Sequence, residues 1–159
     1  MVKRTTKAIV MAYKGPPKDF WHKVGHWGIC RFSELRWFLH TKKFKRVPYS
    51  HVELNIDGVS YSASSRDGGV RKKHIDVYSG SWDLFEVQID TGYALEWFEA
   101  NEGRAYDWAG VFRFLFPFLP HGKYQFFCNE AVGHMLQLEN PEDYTPYEFI
   151  AIIKKEMTR

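Results

Sequence analysis

The stretch SHVELNIDGVSYSAS, residues 50–64, constrains the fold more than any other. Val52, Leu54 and Ile56 alternate with His51, Glu53 and Asn55, the period-2 pattern of a strand with one face in the core. Asp57-Gly58 follows, a pair that tolerates the positive φ angles of a two-residue hairpin turn, and Val59–Ser64 returns as the partner strand. A tight hairpin forces antiparallel pairing. Asp67-Gly68-Gly69 signals another reversal, and Val70-Arg71 starts a third short strand. Lys7–Tyr13 ahead of Gly15-Pro16-Pro17 and Asp83–Ile89 read as further strands.

Helical signals flank these strands. Residues 32–40 read as a short helix with Ser33 as a candidate cap, and residues 92–101 and 106–116 read as two more. A helix begins at Cys128 and runs to about Leu138. Thr145-Pro146-Tyr147-Glu148 is a capping box with proline at the first helical position, and it opens a last helix from Pro146 to about Glu156. The expected class is α+β: a small antiparallel sheet packed with helices in a single domain, residues 1–159.

The 159 residues are enough to bury a core without metal or disulfides. Hydrophobic residues form 45% and aromatics 18%, which excludes a disordered chain. A net charge of +3 does not by itself point to nucleic acid. The two cysteines, Cys30 and Cys128, are far apart in the chain and form neither a disulfide framework nor a CxxC pair, which suits a reducing compartment. The apolar run before Lys14 is too short for a signal peptide, so synthesis in the cytoplasm is expected. No segment is apolar for long enough to span a membrane.

The chemistry centres on FFCNEAVGHML, residues 126–136. An extended aromatic stretch turns into a helix at Cys128, which places the thiol at the positive end of the helix dipole. His51, on the polar face of its strand, is the candidate base, since an imidazole beside a cysteine favours ionisation of the thiol. The competing reading is structural. Cys128, Val132 and Met135 share one helical stripe, and free cysteine is among the most buried residue types. The residues alone leave both readings open.

Four segments resemble circularly permuted NlpC-type papain-like proteins, relatives of the YiiX-like and lecithin retinol acyltransferase groups. They are Leu35-Arg36-Trp37 with Thr41 and Tyr49-Ser50-His51-Val52, then Gly103–Gly110 with its Tyr-Asp pair, Phe127-Cys128-Asn129-Glu130, and Thr145-Pro146. They run in family order, histidine before cysteine. The resemblance implies a permuted papain-like thiol hydrolase, a cysteine peptidase or amidase from a bacterial or bacteriophage source, acting in the virion or host cell if phage-encoded. Cys128 would be the nucleophile and His51 the base. A third polar residue would orient the imidazole; Ser62 matches that position best, with Ser64 next and Glu53 as the alternative. Asn129 replaces the family's serine, a change expected to matter little if it only caps the helix. The implied substrate is a peptide-like amide of the peptidoglycan type or an acyl ester, with no cofactor and no metal.

Other features point to competing functions. His22 and His26 have a metal-ligand spacing if helical, but no third ligand is evident. Lys42, Lys43, Lys45 and Arg46 around Phe44 form a basic loop suited to an acidic partner or phosphate backbone. Phe112, Phe114, Phe116 and Phe118 suit either core packing or a lipid acyl pocket.

Overall fold

The computed structural model describes residues 5–15, 20–113 and 124–156. Within them the chain forms β1 (Thr5–Tyr13), α1 (Phe20–Thr41), β2 (His51–Ile56), β3 (Val59–Ser64), β4 (Gly69–Lys73), β5 (Trp82–Asp90), α2 (Thr91–Asn101), α3 (Trp108–Arg113), α4 (Cys128–Met135) and α5 (Pro146–Glu156), with a 3-10 turn at Pro141–Asp143 before α5. The strands make one sheet in the order β4-β3-β2-β1-β5, with every adjacent pair antiparallel. The α+β class expected from the hairpin pattern is the architecture found.

The expected hairpin is present, with Asp57 at φ 50° and Gly58 at φ 86°. Asn55 secures it: Asn55 Oδ1 accepts the Gly58 N–H, and its Nδ2 donates to Ser60 Oγ across the strands at 2.9 Å. The apolar alternates Val10, Ala12, Val52, Leu54, Ala63 and Val70 join Phe98, Val132, Met135, Phe149 and Ile150 in the main core. α4 lies across β2 and β3 and touches α2, α5 and the 3-10 turn. The opposite alternates are not solvated. Glu53, Asn55, Ser60 and Ser62 are all buried, so this pair of strands carries a polar row inside the protein.

Several boundaries differ from expectation. α1 spans 22 residues and not the short helix of 32–40. Ser33 lies inside it and donates to the Ile29 carbonyl at 2.8 Å, the back-bonding of a mid-helix serine, so it is no cap. α4 stops at Met135, and Gln137 adopts φ 58°. The last helix is as expected. Thr145 N–H donates to Glu148 Oε2 at 2.9 Å and Glu148 N–H to Thr145 Oγ1 at 3.4 Å, both halves of a capping box. Of the helix expected over 106–116, the part beyond Arg113 lies outside the described residues, as do Phe114, Phe116 and Phe118.

The connection from α2 to α4 is stitched to the sheet edge. Gly69, at φ 149°, approaches Arg104 so closely that a Cβ would collide with its carbonyl. Gly69 bridges Ala105, and Tyr106 in turn bridges Phe126. These two short pairings deliver Phe127 and Cys128 to the end of the sheet where β2 starts.

Candidate functional site

Cys128 is the first residue of α4, after Phe127 in extended conformation at φ −102° and ψ 174°. The Phe127 N–H donates to Glu130 Oε2 at 3.2 Å, which ties down the turn just ahead of the thiol. The thiol is buried and donates to Asn129 Oδ1 at 3.8 Å, and it lies close enough to the His51 ring to act on the imidazole's charge. The structure therefore brings together the two residues that the sequence placed 77 positions apart.

His51 Nε2 lies 2.8 Å from Glu53 Oε1. With Nε2 committed to a carboxylate, Nδ1 is the nitrogen left to exchange a proton with Cys128. Burial lowers the imidazole's proton affinity, but the charge and hydrogen bond of Cys128 and those of Glu53 outweigh it and raise the pKa to about 9. The ring is an imidazolium at neutral pH.

The side chain that bonds the His51 ring is Glu53, the alternative to Ser62. Ser62 Oγ donates instead to the Val52 carbonyl at 2.6 Å. Ser64 Oγ accepts the Asp67 N–H. The reason lies in the register. Ser62 pairs with Arg71 on β4, and continuing the β2–β3 register past Leu54–Tyr61 sets Glu53 opposite Ser62. Glu53, Ser62 and Arg71 thus stand in one row on one face. Because Ser62 is small, the Arg71 guanidinium reaches over β3, a span of roughly 10 Å between outer strands. Its Nη1 donates to Glu53 Oε2 at 2.7 Å, and its Nη2 donates to Oε1. Arg71 Nε donates to Asp67 Oδ2 at 2.9 Å. Burial disfavours the Glu53 carboxylate, but the hydrogen bonds from Arg71 and His51 win and lower its pKa. Sequence reasoning missed Arg71; the signal was the register of the Gly68-Gly69 turn, which sets it beside the polar row.

Tyr106 is the second residue missed. It belongs to the Tyr-Asp segment, and its ring lies near enough to Cys128, Asp107 and Glu130 to feel their charges. Burial first, and those negative neighbours second, push its hydroxyl pKa far up, so it keeps its proton as a donor. Glu130 is pushed up to about 8, chiefly by burial, with Asp107, Glu142 and Cys128 adding to it. Asn129 does not act as a cap: its Nδ2 donates to the Tyr144 carbonyl at 2.7 Å and the Pro141 carbonyl at 3.4 Å.

Aromatic rings stand beside the imidazole. Trp82 lies 6.4 Å from His51 between ring centroids, and Tyr13 packs edge-on against Trp82 at 5.0 Å. The other cysteine, Cys30, sits 3.8 Å from His26 Nε2, while His26 Nδ1 lies 2.6 Å from Ser50 Oγ. Burial, and then Glu34, raise the Cys30 thiol to about 11 against the opposing pull of Arg31. Arg31 is paired with Glu34 at 2.6 Å, which blunts its influence. His26 is thus engaged within this group, and the side chain of His22 lies outside the described residues. Among the described residues no group of three His, Cys, Asp or Glu is arranged to hold a metal, and no helix is long and apolar enough to cross a membrane. Residues 42–46 are all exposed, and Phe44 is 86% exposed.

No protein-family model matches the chain, and no curated protein and no solved structure matches it.

Proposed function

We propose that the protein is a cysteine-dependent hydrolase of amide or ester bonds, related to the permuted NlpC-type papain-like enzymes. The observation that carries this reading is the Cys128 thiol at a helix N-terminus, beside an imidazole that a buried carboxylate holds through a 2.8 Å hydrogen bond. Three polar groups in this order form the arrangement that activates a thiol nucleophile. Free cysteine used only for packing has no need of a buried Glu–His pair beside it.

The steps follow from the geometry. In the resting site His51 already holds the proton taken from Cys128, and Sγ attacks the substrate carbonyl carbon as the thiolate. Negative charge develops on the carbonyl oxygen, where N–H groups of the first turn of α4 and the Tyr106 hydroxyl are the available donors. His51 returns the proton to the leaving amine or alcohol as the tetrahedral intermediate collapses to a thioester. Water, deprotonated by the same ring, then releases the acid and frees the thiol. Glu53 keeps the ring aligned throughout. The resemblance favours a peptidoglycan-type peptide amide as substrate; transfer of a lipid acyl group is the alternative that product analysis separates.

Alkylation tests the reading without a known substrate. Iodoacetamide at neutral pH should label Cys128 at least about tenfold faster than Cys30, read by mass spectrometry of partially labelled protein. His51→Ala should slow Cys128 and leave Cys30 unchanged. Cys128→Ala should remove hydrolysis of peptidoglycan fragments. Equal labelling of both thiols, or indifference of Cys128 to His51→Ala, would return Cys128 to a packing role. The exposed basic loop supports a second activity, binding of an acidic partner. A salt titration distinguishes it, since phosphate contacts weaken steeply with salt and thiol chemistry does not.

A further inference from the structure

We infer that Arg71 is a positioning residue of the candidate site: anchored by Asp67, it fixes Glu53 in one orientation, and so sets where His51 stands relative to Cys128. The inference rests on the thiol-hydrolase reading and goes beyond it in assigning work to a residue on a different strand from the histidine.

Glu53 is 1% exposed. A carboxylate so buried does not stay ionised unless it is paired and hydrogen-bonded. His51 supplies one hydrogen bond, to Oε1. Arg71 supplies two, one to each oxygen. A guanidinium bound to both oxygens fixes the plane of the carboxylate as well as its charge. The position of Oε1 then dictates the position of Nε2, and with it the tilt of the ring towards the thiol. Arg71 is itself held, since its third donor, Nε, is taken by Asp67 Oδ2, and Lys73 lies 3.3 Å from Asp67 Oδ1. The charges alternate along Lys73, Asp67, Arg71, Glu53 and His51. Ser62 lies in the same row, and its small side chain leaves room for this contact. An ion pair serving only to join β4 to β2 would have no need to end on the imidazole.

Removing Arg71 leaves a buried carboxyl whose remaining cationic partner is His51. Glu53 then takes up a proton as pH falls through the neutral range, and the ring loses its fixed acceptor. The other titratable groups near the pair are Cys128 on α4, with Tyr106, Asp107 and Glu130 beyond it. They are common to all variants and cancel in the comparison.

The test is the pH dependence of Cys128 alkylation in Arg71→Met, Arg71→Lys, Asp67→Asn, Glu53→Gln and the Glu53→Gln/Arg71→Met double variant, with Cys30 as internal control and circular dichroism to verify folding. Near pH 6, Arg71→Met and Glu53→Gln should each slow Cys128 by about tenfold, one pH unit's worth of lost ionisation. Arg71→Met should show an added inflection on the acid side that the double variant lacks. The double variant should be no slower than Glu53→Gln alone, since Arg71 acts through Glu53. Arg71→Lys keeps the charge without the fork and should fall between. If Arg71→Met does not fold, Arg71→Lys and Asp67→Asn carry the test, each with a smaller shift in the same direction. Folded variants with the wild-type profile, or losses that multiply in the double variant, would overturn the inference. In that case a normal response to His51→Ala leaves the hydrolase reading standing. If His51→Ala is also silent, both fall.

Discussion

Glu53 and Ser62 are neighbours in one cross-strand row, yet they have different partners. Glu53 faces the imidazole, and Ser62 gives its proton to a backbone carbonyl. Their substitutions should therefore separate. Glu53→Gln should lower turnover on the order of a hundredfold, the usual worth of a well-placed proton-transfer arrangement, with little loss of folded protein. Ser62→Ala should cost about 1 kcal/mol of stability for its lost hydrogen bond and leave turnover within about twofold. Kinetics beside urea denaturation would show it, and the reverse ranking would move the orienting role to Ser62. A titration of the His51 ring by carbon NMR gives an independent reading. Its pKa of about 9 is held up by Cys128 and Glu53, so Glu53→Gln should move the midpoint down. The imidazolium is present below about pH 9 and lost above it, so in wild type any activity needing it should decline on that side.

At the level of elements, α4 owes its position to close contacts on its far side. Gly133 packs so tightly that a Cβ would collide with Pro141 and come within 3.3 Å of Phe149. Gly133→Ala should therefore destabilise by about 1–3 kcal/mol, even though alanine favours helix by about 1 kcal/mol in an open setting. Asn129→Ala removes donors from the carbonyls of Pro141 and Tyr144, and a cost of about 1–3 kcal/mol is expected for buried acceptors left unpaired. Thermal denaturation of both variants measures these losses. Gly133 has no side chain near the thiol, so its loss should appear in stability before it appears in the relative reactivity of Cys128 and Cys30, whereas Asn129→Ala also removes the acceptor of the Cys128 thiol.

Across the whole molecule, Glu130 ties stability to pH. Its folded pKa of about 8 lies above an ordinary carboxyl value of about 4.3. Between those values the folded chain holds a proton that the unfolded chain releases. The contribution to stability is complete at low pH and is lost as pH rises from about 4.3 through about 8, by at most about 1.4 kcal/mol per unit. Glu130→Gln keeps the size of the side chain and cannot ionise, so its stability should be flatter over that window, as urea denaturation at several pH values would reveal. A wild-type curve that rises with pH there would contradict the raised value.

The sequence by itself determined the local features of this protein. Alternation around Val52, Leu54 and Ile56 and the Asp57-Gly58 turn specify an antiparallel hairpin, because side-chain period and turn dihedrals are properties of neighbouring residues. The Thr145–Glu148 capping box marked the start of α5 for the same reason. The Phe127-Cys128 junction and His51 were legible as candidates through motif order. The tertiary structure decided what depends on register and on close approach. Whether Glu53 is a solvated strand residue or a buried acceptor, and whether Ser62 or Glu53 faces the ring, follow from the pairing of β2, β3 and β4, which no single strand encodes. Arg71 reads as a surface cation until the sheet sets it over Ser62 within reach of Glu53. Tyr106 needs the bridge to Phe126 to come near the thiol, and Asn129 needs the 3-10 turn to receive its hydrogen bonds. These contacts link residues distant in the chain, and burial then magnifies the charges they bring together.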